Sequence, residues 1–220
     1  MKKAVICFTR IPIPGQTKTR LTPLLSGEER AALHTAFLRD LAGVFIQVDA
    51  RLYVVHTPED RQGLLRDIFP KACGFFPQEG EGLGARMENA LDRVLALGYD
   101  ACVLVGADLP LLTAEHLESA FSALARTEAT LGPNPDGGYY LVGLRKPCPA
   151  LFDGQVYGTG SVYGEAAAAL RKAGVSFSPA LPCGDVDTPQ DLRELRPALA
   201  GKDTHTARLL NQLIARGIPL

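Results

Sequence analysis

The sequence predicts an α/β protein with a mostly parallel sheet covered on both faces, and three observations predict it. Short apolar runs bounded by turn residues recur at KAVICFT, RLYVVHT, CGFFPQ and ACVLVGAD. Segments with helical spacing lie between those runs, so strand and helix alternate along the chain. The length of 220 residues with 46% hydrophobic content suffices for one sizeable core, so residues 1–220 are read as a single domain.

In chain order, the first strand gives way at once to TRIPIPGQTKTRLTP, whose prolines forbid its continuation. SGEERAALHTAFLRDLAGVF follows as a helix, with Ser26 as cap, Glu28 and Glu29 in the first turn, and Leu33, Phe37 and Leu41 on one face. After the strands RLYVVHT and CGFFPQ, the segment GARMENALDRVLALG presents Met87, Leu91, Val94 and Leu95 on one face and closes at Gly98. ACVLVGAD is the next strand, and a helix runs from Thr113 to about Leu124. Beyond Pro110 the regularity loosens, and ATLGPNPDGGYYLVGL, crowded with Gly and Pro, reads as an insertion that builds a pocket. A helix near GSVYGEAAAALRKAG, a strand VSFSPAL, a helix capped by Thr188 with Pro189 in its first position, and a final helix ARLLNQLIARG complete the chain.

Charge excludes some partners. With 23 Lys and Arg against 24 Asp and Glu, no field is available to hold nucleic acid or an anionic membrane, so the partner is expected to be a small molecule. Cys7, Cys73, Cys102, Cys148 and Cys183 are odd in number and form no C-x-x-C pair, which suits reduced thiols in a cytoplasmic protein. No signal peptide and no apolar stretch of membrane-spanning length is read.

In open α/β sheets ligands collect at the carboxyl ends of strands, and there this chain is polar. Gly15 permits close backbone approach, and Arg10, Lys18, Thr19 and Arg20 share its loop, an arrangement suited to phosphate although no Walker sequence is present. Taken alone, the same loop reads equally well as a solvated basic turn. Asp108 ends an almost wholly apolar strand, where a carboxylate is costly unless a metal or cation pairs with it. Of Asp185 and Asp187, one can cap the following helix or finish a turn, while Asp108 with Asp187 would suffice for Mg²⁺. Gln78, Gly80, Gly82 and Gly84 precede a helix and offer groups for a base or ribose, or merely a flexible loop. Asp136, Gly137, Gly138, Tyr139 and Tyr140 line a strand start, the two tyrosines on opposite faces if extended. His34, His56, His116 and His205 show no metal-ligand spacing and are assigned no chemistry.

In this order the motifs IPIPGQTKTRLTP, QEGEGLGARM, VGADLPLLT, GPNPDGGYYLVGL, VYGTGSV and DVDTPQDL resemble the bacterial DUF2064 family. Its members are also described as selenodomain-associated or glycosyltransferase-like transferases of the nucleotide-diphospho-sugar transferase superfamily. Molybdenum-cofactor and 2-phospholactate guanylyltransferases are related to them. The resemblance implies a three-layer α/β/α, Rossmann-like GT-A fold with a mostly parallel mixed sheet. It places Lys18 and Arg20 on the phosphate loop, Gln78 and Gly84 at the base, and Asp108 with Asp187 on Mg²⁺ or Mn²⁺. The chain lacks the G-x-G-T-R opening of sugar-nucleotide pyrophosphorylases, and Tyr157 stands where relatives often carry tryptophan.

The expectation is a transferase with Lys18, Arg20, Asp108 and Asp136 in its catalytic centre, moving a nucleotidyl group from a nucleoside triphosphate to a small phosphorylated acceptor. Nucleotide binding falls to Arg10, Gly15, Lys18, Thr19, Arg20, Gln78, Gly82 and Gly84, and acceptor binding to Asp136, Gly137, Gly138 and Tyr139. Two alternatives stay open: glycosyl transfer from a nucleotide sugar with Asp136 as base, and a nucleotide-binding protein without turnover. The oligomeric state, a homodimer included, is also open.

Overall fold

The structure is a computed structural model and describes residues 1–220. Its centre is a seven-stranded sheet made of β1 (Lys3–Arg10), β2 (Arg51–Thr57), β3 (Gly74–Pro77), β4 (Ala101–Gly106), β5 (Ala129–Pro133), β6 (Tyr139–Leu144) and β7 (Phe177–Pro179). The spatial order is β3-β2-β1-β4-β6-β5-β7. Strands β3, β2, β1 and β4 are parallel neighbours, and β5 is parallel to β7. Only β6 runs against its neighbours β4 and β5. The helices are α1 (Gly27–Phe45), α2 (Gly63–Ile68), α3 (Gly82–Leu95), α4 (Ala114–Leu124), α5 (Val162–Lys172), α6 (Pro189–Ala198) and α7 (His205–Ala215). No helix is long and apolar enough to cross a membrane.

Alternate side chains of the continuous apolar strands feed two cores. Val5, Cys7, Val54, Val103 and Val105 face α1, α2 and α4, while Ala4, Ile6, Val55, Cys102 and Leu104 face α3 and α5. The sheet is therefore buried on both faces, as its run composition requires. A third cluster joins Leu33 and Phe37 of α1 to Leu192 and Leu195 of α6 and Leu210 and Leu213 of α7. The α1 face of Leu33, Phe37 and Leu41 thus divides between two cores, with Leu41 packing toward the sheet.

Most helix starts follow the sequence, but α3 begins at Gly82, so Gly82 and Gly84 lie in its first turn and not before it. Ser26 and Glu29 form a reciprocal capping box on α1, and Thr188 with Asp191 forms another on α6 with Pro189 in the first turn. Two further readings need correction. The segment ATLGPNPDGGYYLVGL is no insertion: it is the antiparallel pair β5 and β6 within the sheet, joined at residues 134–138. Its Gly and Pro residues lie partly inside strands, with a register shift at Gly132/Pro133, which disguised the hairpin. Helix α2 was not anticipated, since it is short and its buried residues are only Leu65 and Ile68.

Candidate nucleotide and metal site

At the carboxyl end of β1 the chain turns sharply. Pro14 and Gly15 occupy the central positions of a turn closed by Gln16 N–H donating to Ile13 O at 3.0 Å, with Gly15 at φ +81°. Thr17, buried, accepts from Ile13 N–H at 3.0 Å and fixes the loop from within. The first residue of α1 packs on this turn, since a Cβ on Gly27 would lie 2.8 Å from Gly15 N. Lys18 then adopts φ 50°, ψ 45°, and no other non-glycine residue has positive φ. A left-handed conformation in such a residue costs about 1–2 kcal/mol and is found mainly where the surroundings dictate it.

What dictates it here is charge. Lys18 turns inward with its side chain only 3% exposed, placing Nζ 2.6 Å from Asp108 Oδ1 and 3.2 Å from Asp187 Oδ1. It also donates to Val186 O at 2.5 Å and lies 5.2 Å from the Phe37 ring centroid. Arg20, mostly exposed, reaches Asp187 Oδ2 at 3.3 Å. The second segment is held in register by Val186 N–H donating to Asp108 O at 2.9 Å. Asp191 Oδ2 accepts from Asp187 N–H and Thr188 N–H, so capping is done by Thr188 and Asp191. Neither Asp185 nor Asp187 is consumed as a cap, and the Asp187 carboxylate is left to face the cleft.

Burial pushes the Asp108 carboxyl up, but the Lys18 ammonium and His34 outweigh it and hold the group well below the usual carboxylate range. Asp185 is pushed the other way, first by burial and then by the carboxylates of Asp187, Asp136 and Asp108 against an opposing Asn134 hydrogen bond. Asp108 Oδ1 is ion-paired with Lys18 at 2.6 Å and faces His34 Nδ1 at 3.4 Å. Two carboxylates that converge on the Lys18 ammonium are the residues that would hold a hard cation in its place. Magnesium needs few protein ligands because water and phosphate complete its shell. The pair holds the Lys18 ammonium and would be open to a divalent ion only with Lys18 turned away.

Around this centre opens a cleft of about 710 Å³. Arg10, Lys18, Thr19, Arg20, Gln78, Gly82, Asp108, Tyr139 and Asp187 all line it. Gln78 sits beyond β3, donating Nε2–H to Thr9 O at 2.9 Å. Tyr139 and Tyr140 both reach the cleft, yet pack toward opposite cores as their alternation requires.

Several residues do not join the cleft. Gly15 supports the contact with Gly27 and is absent from the lining. Gly84 is buried and receives the Tyr157 ring, to which a Cβ would approach within 3.0 Å. Asp136 is exposed and accepts from Gly138 N–H at 2.8 Å, a side-chain closure of the 134–138 turn. Gly137 is required by another loop rather than by a ligand: a Cβ there would sit 2.0 Å from Gly160 O. Its N–H and C=O are already spent on Asn134 O and Tyr163 N–H. Gly138, in the same turn, is likewise outside the lining.

Sequence reasoning missed Gln16, Thr17, Leu83 and Arg86, which line the cleft from loop and helix positions without a motif of their own. It also set aside His34, which lines the cleft from α1. Its position one helical turn before Leu38 gave no local signal, since its partners Thr9, Arg10 and Asp108 are distant in sequence.

Comparison with known proteins fits this geometry. The family described as "Uncharacterized protein conserved in bacteria (DUF2064)" matches residues 41–159, more than half of the chain. A phosphoenolpyruvate guanylyltransferase of Sphaerobacter thermophilus is 30% identical over 81% of this chain and 86% of its own. A 2-phospho-L-lactate guanylyltransferase of Methanothermobacter thermautotrophicus is 29% identical over 92% of this chain and 89% of its own. A crystal structure from Desulfovibrio desulfuricans, described as a nucleotide-diphospho-sugar transferase, superposes with TM-score 0.90 at 31% identity, covering 98% of this chain and 96% of that one. The chain belongs to the DUF2064 family and has the fold of a nucleotide-diphospho-sugar transferase.

Proposed function

We propose that this protein is a nucleotidyltransferase that moves a guanylyl group from GTP to a small phosphorylated acceptor, with release of pyrophosphate. The observation that carries this reading is the meeting of Arg10, Lys18 and Arg20 with Asp108 and Asp187 in one cleft. The guanine base and the phosphorylated acceptor class are drawn from the relatives' activities. The cleft is of a size suited to a nucleotide and a small partner.

In this reading Arg10 and Arg20, exposed at the cleft rim, draw in the triphosphate. Asp108 and Asp187 would hold Mg²⁺, which when bound would neutralise charge on the donor phosphates. Lys18, released from the carboxylates, follows the β- and γ-phosphates and stabilises the charge that grows on them. An acceptor phosphate oxygen attacks the α-phosphorus, the new P–O bond forms as the bond to the β-phosphate bridging oxygen breaks, and pyrophosphate leaves. The nucleophile is already anionic, so no general base is required.

The glycosyl-transfer alternative is weakened because Asp136, its supposed base, closes a turn outside the cleft. The test is pyrophosphate release from each nucleoside triphosphate with Mg²⁺ and either phosphoenolpyruvate or 2-phospholactate. GTP-dependent release coupled to a guanylylated acceptor supports the reading. Inert triphosphates alongside nucleoside diphosphate release from a nucleotide sugar would overturn it.

A further inference from the structure

His34 lies two turns into α1, is 3% exposed, and touches the site at three points. Nε2 is 3.1 Å from both Arg10 O and Thr9 Oγ1, and Nδ1 is 3.4 Å from Asp108 Oδ1. Apart from Asp108 Oδ1, His34 Nδ1 has no polar partner. A buried imidazole is not an idle choice in a helix face that otherwise presents Leu33, Phe37 and Leu41, because an unpaired polar nitrogen there is costly.

We propose that His34 is a positioning residue that orients the Asp108 carboxylate through Nδ1–H. The inference rests on the reading of Asp108 as a cation-holding carboxylate. The Thr9 hydroxyl makes this arrangement available in either charge state of the ring. When the ring carries hydrogen on both nitrogens, Nε2–H donates to Arg10 O while Thr9 Oγ1 donates to the same carbonyl at 2.8 Å. When the ring is neutral, the Thr9 hydroxyl turns to donate to Nε2, and the single ring hydrogen sits on Nδ1 facing Asp108. The opposite tautomer would set an Nδ1 lone pair against a carboxylate oxygen.

The consequence is geometric. Asp108 lies two residues beyond the end of β4, and the partners that meet its carboxylate come from other elements. Lys18 approaches it from the first loop, but Lys18 must leave for a divalent ion to take its place. His34 is anchored by β1 backbone and cannot leave, so it keeps the carboxylate aimed while the cation changes. Hydrogen-bond partners of metal-holding groups typically contribute 10–100-fold in metal affinity.

The test compares His34→Leu with His34→Asn, whose amide nitrogen occupies the place of Nδ1. Manganese affinity in the presence of GTP is read by electron paramagnetic resonance, and melting temperature is read alongside. His34→Leu is expected to lose about tenfold or more in Mn²⁺ affinity, and His34→Asn to regain most of it. The steady-state loss in His34→Leu is expected as a raised KM for GTP that excess Mn²⁺ restores. An independent readout needs no change at His34: the ¹⁵N shift of its Nδ1 is expected to move in Asp108→Asn. Equal Mn²⁺ affinity in wild type and His34→Leu, or an Nδ1 resonance indifferent to Asp108→Asn, would overturn the positioning role. If His34→Leu does not fold, the Nδ1 shift and the His34→Asn affinity decide. A wild-type protein that binds no Mn²⁺ with GTP overturns the reading of Asp108 itself, and the positioning role with it.

Discussion

Lys18 Nζ lies 2.6 Å from Asp108 Oδ1 and is held there by a backbone conformation that no other non-glycine residue adopts. On the proposed reading a divalent ion takes the same pair of carboxylates and must displace the ammonium. Lys18→Met should therefore bind Mn²⁺ more tightly than wild type when no nucleotide is added. The same variant should lose about 1.5–3 kcal/mol in affinity for a triphosphate, the value of one charge-assisted contact. Calorimetry with Mn²⁺ alone and with GTP checks both signs, and equal Mn²⁺ affinity in the two proteins would contradict the competition.

Asp108→Asn should abolish Mg²⁺-dependent nucleotide binding while leaving the fold intact, since the substitution removes charge and preserves shape. The check is the GTP-induced rise in melting temperature. A ligand at 100 times its dissociation constant adds about 2.7 kcal/mol, a shift easily resolved. Metal-dependent binding retained in full would remove Asp108 from the site.

The same carboxyl sets an acid limb of stability. Its folded value lies below the ordinary carboxyl value of 3.8 because Lys18 and His34 outweigh its burial. Its contribution is complete above that unfolded value and is lost as pH falls through the folded one. Wild-type melting temperature should thus decline below about pH 4, and Asp108→Asn should decline less steeply. Parallel scans of melting temperature between pH 2 and about 6 test this.

Asp191 ties the helix cap to the site. Its Oδ2 accepts from Asp187 N–H at 2.9 Å and from Thr188 N–H at 2.7 Å. Asp191→Ala should cost about 1 kcal/mol from the lost cap. It should also weaken Mn²⁺ binding by freeing the Asp187 backbone, whereas Ser26→Ala at the start of α1 should cost similar stability and leave metal binding alone.

Gly137→Ala should be severely destabilising, because its Cβ would lie 2.0 Å from Gly160 O at a φ of +88°. Gly158→Ala has a comparable φ of +85° with open space around it and should cost far less. The difference in denaturation midpoint isolates the contact from the backbone preference.

What was legible in the sequence is what local chemistry encodes. The capping boxes at Ser26 and Thr188 and the apolar strands are short-range patterns, and they appear where the residues announce them. Lys18, Arg20, Asp108 and Asp187 were legible because charges at strand ends are conspicuous in so apolar a chain. Legibility failed where a residue's purpose lies in a distant contact. Gly137 looked made for a ligand and instead admits residue 160, Gly84 admits Tyr157, and His34 meets partners on two other strands' ends. The β5 and β6 hairpin was obscured because its glycines serve tight packing within the sheet: a Cβ on Gly132 would meet the Tyr140 ring at 2.5 Å.

The reversed strand β6 has a consequence for how this scaffold diversifies. The near wall of the cleft is built where β1 and β4 finish, so its residues are bound to those strands' registers and to each other across the Lys18 ion pairs. The opposite wall is built where β6 begins, with Leu141 paired to Val105 and Tyr139 lying just outside that pairing. Loops at strand starts and ends tolerate insertion far better than the strands they join. The 134–138 turn is an exception: it lies outside the lining and is pinned to residues 160 and 163, so it fixes where Tyr139 enters the cleft. Side-chain change at Tyr139 can therefore alter that wall while the Lys18 ion pairs across the cleft, at the ends of β1 and β4, stay as they are.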